Sequence, residues 1–213
     1  MATAFVTIAQ AAVTAPLNPA CREEEYTFYL DDLKAKAPVV LEGDEGPSVA
    51  AAKANGVSIL RLKIDTSLPA GHFTLEPDGE ISPNIEIREP SDDEIALILH
   101  TSGTTSRPKI VPLSQSNVVA SADHIKETLR LTADDRCMNV MPLFHIHGLI
   151  AAVTASLTAG ASIWCAPGFD ALRFFGWMKE ARPTRYTAVP AMHQALLTRA
   201  SRNEDVITDV PLR

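Results

Sequence analysis

A run of small hydroxyl residues between positions 101 and 114 is the densest group of chemically active side chains in the sequence. Hydroxyls and free backbone N–H groups are neutral hydrogen-bond donors, and a lysine ammonium adds a compact positive charge. Donors of this kind can surround a chain of phosphate oxygens, so the run predicts a phosphate-binding loop; a plain polar loop is the alternative. The loop residues concerned are Thr101, Ser102, Gly103, Thr104, Thr105, Ser106 and Lys109.

The flanking pattern predicts where this loop lies in the fold. The apolar run IALILHT predicts a strand before it, and Ser114 or Ser116 is expected to cap a helix that continues to Leu129. A loop at the carboxyl end of a strand occupies the edge of an α/β sheet at which ligands bind. It is not a Walker loop, because G-x-x-x-x-G-K-[ST] does not occur and Lys109 is followed by Ile110.

Strand and helix patterns alternate from Glu94 to the end of the sequence. The strands CMNVM, ASIWCA and TRYTAV are each followed by a helical pattern, which predicts an α/β fold with a mostly parallel sheet covered by helices. Residues 65–93 carry four prolines and little periodicity. They predict a long loop or edge segment, with a candidate subdomain boundary inside it. The N-terminal MATAFVTIAQ predicts a core helix.

Three histidines are the remaining candidates for chemistry. His145 and His147 flank one residue, and in an extended segment such neighbours share a face without being close. With no third ligand in the pattern, we predict no metal site there. His193 lies further along and is expected to face the same pocket. A serine hydrolase using Ser102 or Ser106 is disfavoured, since no G-x-S-x-G elbow occurs.

Composition excludes several classes of protein. The 213 residues carry a net charge of −7, which argues against a general nucleic-acid binder. Three widely spaced cysteines indicate neither a disulfide framework nor a zinc site, and favour a reducing, cytoplasmic setting. No apolar stretch reaches the roughly 20 residues that a membrane-spanning helix needs.

Three segments together resemble the adenylate-forming superfamily, which includes acyl-CoA synthetases, luciferases and peptide-synthetase adenylation domains. HTSGTTSRPKIVPLSQSN resembles its T-S-G-T-T-G-x-P-K-G signature, in the version carried by oxalate–CoA ligases. MPLFHIHGL resembles the P-L-F-H-x-x-G motif, and RYTAVPAMHQALL resembles the T-x-V-P segment of the acyl pocket. Ser106 and Ile110 stand where glycine is usual; if position 110 needs a positive φ, Ile110 costs of order 1–3 kcal/mol.

The resemblance implies a two-step reaction. A carboxylic acid attacks the α-phosphorus of ATP, and the thiol of coenzyme A (CoA) then displaces AMP. By resemblance, Thr101 to Ser106 and Lys109 hold the β- and γ-phosphates, His147 lies beside the acid, and His145 supports the turn. Mg²⁺ is a cofactor of the relatives, but its ligand lies in a Y-G-x-T-E motif that does not occur in this sequence.

The missing motifs lead to an expectation about the chain as a whole. The ribose-binding T-G-D motif is also absent, and so is the C-terminal lid domain with its lysine. We therefore expect residues 1–213 to be a partial N-terminal domain of a longer enzyme that does not make acyl-CoA alone. A non-catalytic nucleotide-binding or interaction module with the same fold is the alternative. Exposed apolar surface is expected to favour oligomers.

Overall fold

A computed structural model describes residues 1–79, 88–101 and 108–213 of the chain. The chain forms two compact units, and the first unit combines two separate stretches of sequence. Unit 1 comprises Met1–Pro16 and Glu89–Arg213, and unit 2 comprises Leu17–Arg88. Within the described residues, no helix is both long and apolar enough to cross a membrane.

Unit 2 places two helices beside a small mixed sheet. Its elements are α2 (Glu23–Asp32), β1 (Val39–Leu41), α3 (Pro47–Ala54), β2 (Leu60–Ile64) and β3 (Phe73–Pro77). The strand order is β1-β2-β3, with β1 parallel and β3 antiparallel to β2. The helices bury Tyr26, Leu30 and Val49 against Val40 and Ile59. The predicted segment 65–93 thus contains an edge strand, β3.

Unit 1 contains the remaining elements, including one π-helix. They are α1 (Ala2–Ile8), β4 (Ile95–Thr101), β5 (Lys109–Ser114), α4 (Gln115–Thr128), β6 (Arg136–Asn139), the π-helix (His147–Thr154), α5 (Ala155–Thr158), β7 (Ser162–Cys165), α6 (Phe174–Ala181), β8 (Arg185–Thr187), α7 (Pro190–Ala200) and α8 (Glu204–Asp209). The α/β fold class is confirmed.

The two strands β4 and β5 form an antiparallel hairpin in unit 1. Their register runs from Ile95 opposite Ser114 to Thr101 opposite Lys109. On the other side of β4, the backbone of Thr14 bonds to Ala96 and Ile98 at 2.9 and 2.8 Å. β5 was not predicted, because the sequence pattern pointed to a loop that led directly into the helix.

Helix α4 begins where the sequence predicted. The Ser114 hydroxyl accepts a hydrogen bond from the amide of Asn117 at 3.2 Å, which caps the first turn. Val118 and Ala122 are buried, with Ile125 packed against the same core cluster. Val119 and Leu129, which are apolar residues of the same predicted helix, are 52% and 46% exposed.

The second sheet of unit 1 has the order β7-β6-β8, and all its strands are parallel. Its middle strand, β6, is covered on both faces, since Cys137 and Met138 are both fully buried. The connection from β6 to β7 contains the π-helix and α5, and the connection from β7 to β8 contains α6. The parallel prediction therefore holds for this sheet, whereas the hairpin β4–β5 and the pair β2–β3 are antiparallel.

Candidate functional site

The open end of the hairpin carries the first candidate site. Thr101 and Lys109 are paired across it, and both are exposed. The two ends of the hydroxyl-rich segment are therefore held side by side, and the exposed Lys109 is the first residue of strand β5. The predicted phosphate ligands Ser102, Gly103, Thr104, Thr105 and Ser106 lie outside the described residues.

Ile110 is an ordinary strand residue. It pairs with His100 in the hairpin, and its side chain is 41% exposed. Its φ is not positive; the non-glycine residues with positive φ in the described part of the chain are Lys34, Arg130 and Arg182. The condition for strain at Ile110, a positive φ, is therefore not met. A β-branched residue suits a half-exposed strand.

A tight turn after β6 carries the second candidate site. The side chain of Asn139, which is 1% exposed, accepts from the amide of Met141 at 3.0 Å and donates to its carbonyl at 3.1 Å. A Cβ on Gly148 would lie 2.5 Å from the Pro142 carbonyl oxygen. The first turn of the π-helix thus packs directly on the backbone of the turn, and the glycine of the P-L-F-H-x-x-G motif is required by this close approach.

His147 is the first residue of the π-helix and points at the end of β8. Its Nε2 forms a short hydrogen bond with the Thr187 hydroxyl. Two of the motifs found in the sequence, forty residues apart, therefore meet at this pair. His145 is exposed, and its ring packs against Phe144 with centroids 4.6 Å apart. The segment is a turn that enters a helix, so the assumption of an extended chain there is wrong.

His193 lies on the other face of the same sheet. Successive side chains of a strand alternate between faces, so Tyr186 points away from the face of Thr187. The ring nitrogen Nδ1 of His193 bonds to the Tyr186 hydroxyl at 3.0 Å. Burial raises the pKa of Tyr186, so its hydroxyl stays protonated. Both line an apolar cavity of about 190 Å³ with Phe174 and Leu196. The structure does not bring His193 to His147.

The strand order places His147 and Thr187 at a position suited to ligand binding. From β6 the chain passes to β7 on one side and then crosses to β8 on the other. In open parallel sheets, ligands bind outside the carboxyl ends of the strands at such a reversal. Asn139 and Thr187 end their strands there, as register partners. Thr187 and Asn139 were not singled out from the sequence, although the T-x-V-P resemblance marks Thr187.

Asp135, just before β6, is a buried charge that sequence analysis did not detect. It is 4% exposed and accepts from Arg213 at 2.7 and 2.8 Å, from the Thr184 hydroxyl at 2.7 Å and from the Thr132 amide at 2.8 Å. The Arg213 guanidinium, aided by these two donors, holds the pKa of the Asp135 carboxyl well below its usual range, although burial opposes it. Asp135 fixes the start of β6.

The described residues provide limited means of holding a metal ion. Among them, no group of three or more His, Cys, Asp or Glu side chains could bind one.

The fold and both strand-end sites belong to one class of protein. The AMP-binding enzyme family matches residues 1–209, so the chain belongs to that family. It is 41% identical over 202 residues to the oxalate–CoA ligase of Arabidopsis thaliana, covering 92% of this chain and 38% of that protein. It is 33% identical to the oxalate–CoA ligase of Saccharomyces cerevisiae, covering 91% and 39%.

A solved structure agrees with these relatives. ATP-bound MatB from Rhodopseudomonas palustris is 28% identical and superposes with a TM-score of 0.68, covering 87% of this chain and 36% of that chain. The chain thus spans well under half the length of the proteins it matches.

Proposed function

We propose that this chain supplies the ATP-phosphate site and part of the acid site of an AMP-forming acid–CoA ligase. The observation that carries the proposal is the register of the hairpin, in which Thr101 and the exposed Lys109 stand opposite each other at its open end. The two ends of the hydroxyl-rich segment are thus held together, with an exposed lysine at one of them. Membership of the AMP-binding enzyme family supports a nucleotide as its ligand.

The chemical need for this loop is electrostatic. In such a reaction a carboxylate approaches a nucleotide that is itself an anion, and pyrophosphate leaves with further negative charge. Preorganised donors aimed at the developing charge lower this barrier. Lys109 suits that task, because a strand fixes its backbone while its ammonium can contact several phosphate oxygens in turn. Mg²⁺ bound with the nucleotide would share in neutralising the phosphates.

ATP binding tests the phosphate site directly. Titration calorimetry of the chain with ATP should give binding that Lys109→Ala weakens by roughly 10- to 100-fold, since a charge-assisted hydrogen bond contributes about 1.5–3 kcal/mol. Lys179→Ala removes another exposed charge, from α6, and should leave the affinity unchanged. Equal affinity of the wild-type and Lys109→Ala chains for ATP would refute the assignment.

The acid is proposed to be a small dicarboxylate, with oxalate as the first candidate. Two relatives are oxalate–CoA ligases, one of them 41% identical. The hydrogen-bonded pair of His147 and Thr187 offers polar groups at the strand ends, and polar donors suit a diacid better than an alkyl chain. His145 is proposed to support the turn, and His193 is not included in the acid site.

Imidazole NMR signals offer a test of the acid site that needs no turnover. Adding oxalate to the chain should shift the ring signals of His147 and leave those of His193 unchanged, because the two rings lie on opposite faces of the sheet. A medium-chain monocarboxylate is the comparison acid and should shift His147 less. If oxalate moves neither ring, or moves both equally, His147 does not bind the acid.

We also propose that the 213-residue chain does not complete the reaction by itself. It spans 38% of the Arabidopsis relative, and the ribose and magnesium motifs named above do not occur in it. Exchange of labelled pyrophosphate into ATP, assayed with oxalate, should remain at the background rate. Rapid exchange would show that the chain forms the acyl-adenylate without those motifs.

A further inference from the structure

One face of β8 contacts the π-helix at two points. Arg185 and Thr187 are two residues apart, so both side chains leave the strand on the same face. Tyr186, between them, points to the opposite face, where its ring packs on Phe174 with centroids 5.0 Å apart. The face shared by Arg185 and Thr187 is the one covered by the π-helix.

Arg185 contacts the carboxyl half of the π-helix and the helix that follows it. Its Nη2 donates to the hydroxyl of Ser156 at 2.6 Å and to the carbonyls of Ala151 and Ala152 at 3.3 and 3.5 Å. Ser156, which is fully buried, in turn donates to the Ala152 carbonyl at 2.7 Å. One guanidinium therefore joins the strand to the junction between the π-helix and α5.

These carbonyls are at the point where the helical hydrogen-bond pattern changes. The amide of Ala155 bonds to the carbonyl of Ile150, five residues earlier, and the Thr154 hydroxyl bonds to the carbonyl of Leu149 at 2.8 Å. A wide π-type turn leaves carbonyls that need other partners, and such turns are frequent at functional sites. Arg185 and Ser156 supply those partners, so they stabilise the wide turn.

Thr187 holds the other end of the same helix, through its hydrogen bond to His147. The π-helix is eight residues long. Thr187 contacts its first residue, and Arg185 contacts it near its other end. The residues from His147 to Ala152 form one continuous helix. A change in the helical winding at Ala151 and Ala152 therefore rotates His147 relative to Thr187.

We propose that Arg185 is a positioning residue that sets the direction of the His147 ring through the π-helix. The inference rests on the proposed function, in which His147 binds the acid. Arg185 itself contacts the helix backbone rather than the acid. Its Nε is buried and has no hydrogen-bond partner among the described residues, so its contacts to the helix are made through Nη2. Within the described residues, the Nη2 hydrogen bonds of Arg185 all go to the π-helix and α5.

The experiment compares imidazole ¹⁵N signals in the ligand-free chain. In the wild-type chain the Nε2 signal of His147 should show the shift of a hydrogen-bonded nitrogen, because the Thr187 hydroxyl can bond to that atom in either tautomer of the ring. Thr187→Val removes that partner and provides the reference for its loss. Arg185→Met keeps the length of the side chain without its donors and should move the Nε2 signal of His147 in the same direction as Thr187→Val does. Arg185→Lys should restore the wild-type Nε2 shift in part.

His193 is the internal control, since it is bonded to Tyr186 on the opposite face of β8. The proposal holds if Arg185→Met changes His147 and leaves His193 unchanged. It fails if the Nε2 signal of His147 keeps its wild-type shift, or if both rings change together with a lower urea midpoint. If Arg185→Met does not fold, Ser156→Ala removes the hydroxyl partner of Arg185 and should reproduce a smaller change at His147 alone; an unchanged His147 refutes the proposal.

The response of the His147 ring to Arg185→Met is measured without ligand. If the chain binds neither ATP nor oxalate, the His147 signal can still change in Arg185→Met. If the chain binds both, the His147 signal can still remain unchanged in that variant. Failure of the proposed function and failure of this inference are therefore separate outcomes.

Discussion

Replacing Gly148 by alanine is expected to disrupt the turn that presents His145 and His147. The added Cβ would lie 2.5 Å from the Pro142 carbonyl oxygen and 3.2 Å from that of Met141. Ordinary contacts begin at 3.4 Å, so the Pro142 carbonyl must retreat by 3.4 − 2.5 = 0.9 Å. That carbonyl accepts from the His145 amide at 3.3 Å, a bond too long to survive such a movement.

The cost follows from these two effects. Overpacking a buried site costs about 1–3 kcal/mol, and loss of one hydrogen bond costs about 1 kcal/mol. The free energy of unfolding should therefore fall by about 2–4 kcal/mol. With a urea m-value of about 2–3 kcal/mol/M, the urea midpoint falls by about 1 M.

Far-UV circular dichroism in urea provides the assay, and Gly176→Ala provides the matched control. Gly176 lies in α6, and a Cβ added there meets no atom within 4 Å. Alanine should stabilise that helix by roughly 0.5–1 kcal/mol. Equal midpoints for wild-type and Gly148→Ala chains, or a fall of the same size in Gly176→Ala, would contradict the close approach described here.

Two further predictions concern stability. Asp135→Asn should lower the free energy of unfolding by about 1–3 kcal/mol at pH 7, because it leaves the half-exposed Arg213 without its charged partner. The pKa of Asp135 is depressed in the folded state, so its contribution to the free energy of unfolding is complete above the unfolded pKa of about 3.9 and is lost as the pH falls below that value. The urea midpoints of the wild-type and Asp135→Asn chains should therefore converge at low pH. Asp123→Asn is the control and should change the midpoint little at any pH. Ser114→Ala removes the cap of α4 and should lower the free energy of unfolding by about 1 kcal/mol. Ser121→Ala, inside the same helix, is the control and should leave that free energy unchanged or raise it slightly. Equal urea midpoints for the two variants would refute the capping role.

The sequence predicted the elements whose signals are local. Ser114 marks the start of α4 through its own hydrogen bond, and the period of Val118, Ala122 and Ile125 identifies its buried side. Strand β5 was missed because Pro112 interrupts it, and proline cannot donate to a ladder. It is tolerated here in a strand that is paired on one side within the described residues.

The parts of the site that escaped prediction depend on contacts between distant residues. His147 and Thr187 are forty positions apart, and the sequence does not encode their hydrogen bond in any local pattern. The π-helix was predicted as an ordinary apolar helix, because hydrophobic periodicity does not distinguish a wide turn from a regular one. His193 was expected to face the same pocket because the sequence does not show which face of β8 the helix α7 covers; its bond to Tyr186 places it on the face away from Thr187.

The division of unit 1 into two stretches has a consequence for folding. The first stretch is attached to the second by the Thr14 bridges to β4, by the bond from Gln115 to the Ala9 carbonyl at 2.6 Å, and by Phe5 in the core. All of unit 2, residues 17–88, lies between them in sequence. Closing that long interval has an entropic cost that grows with the length of flexible chain, and prior folding of unit 2 shortens the flexible part. A backbone cut within unit 2 would turn this closure into an association of two fragments, and renaturation would then depend on their concentration.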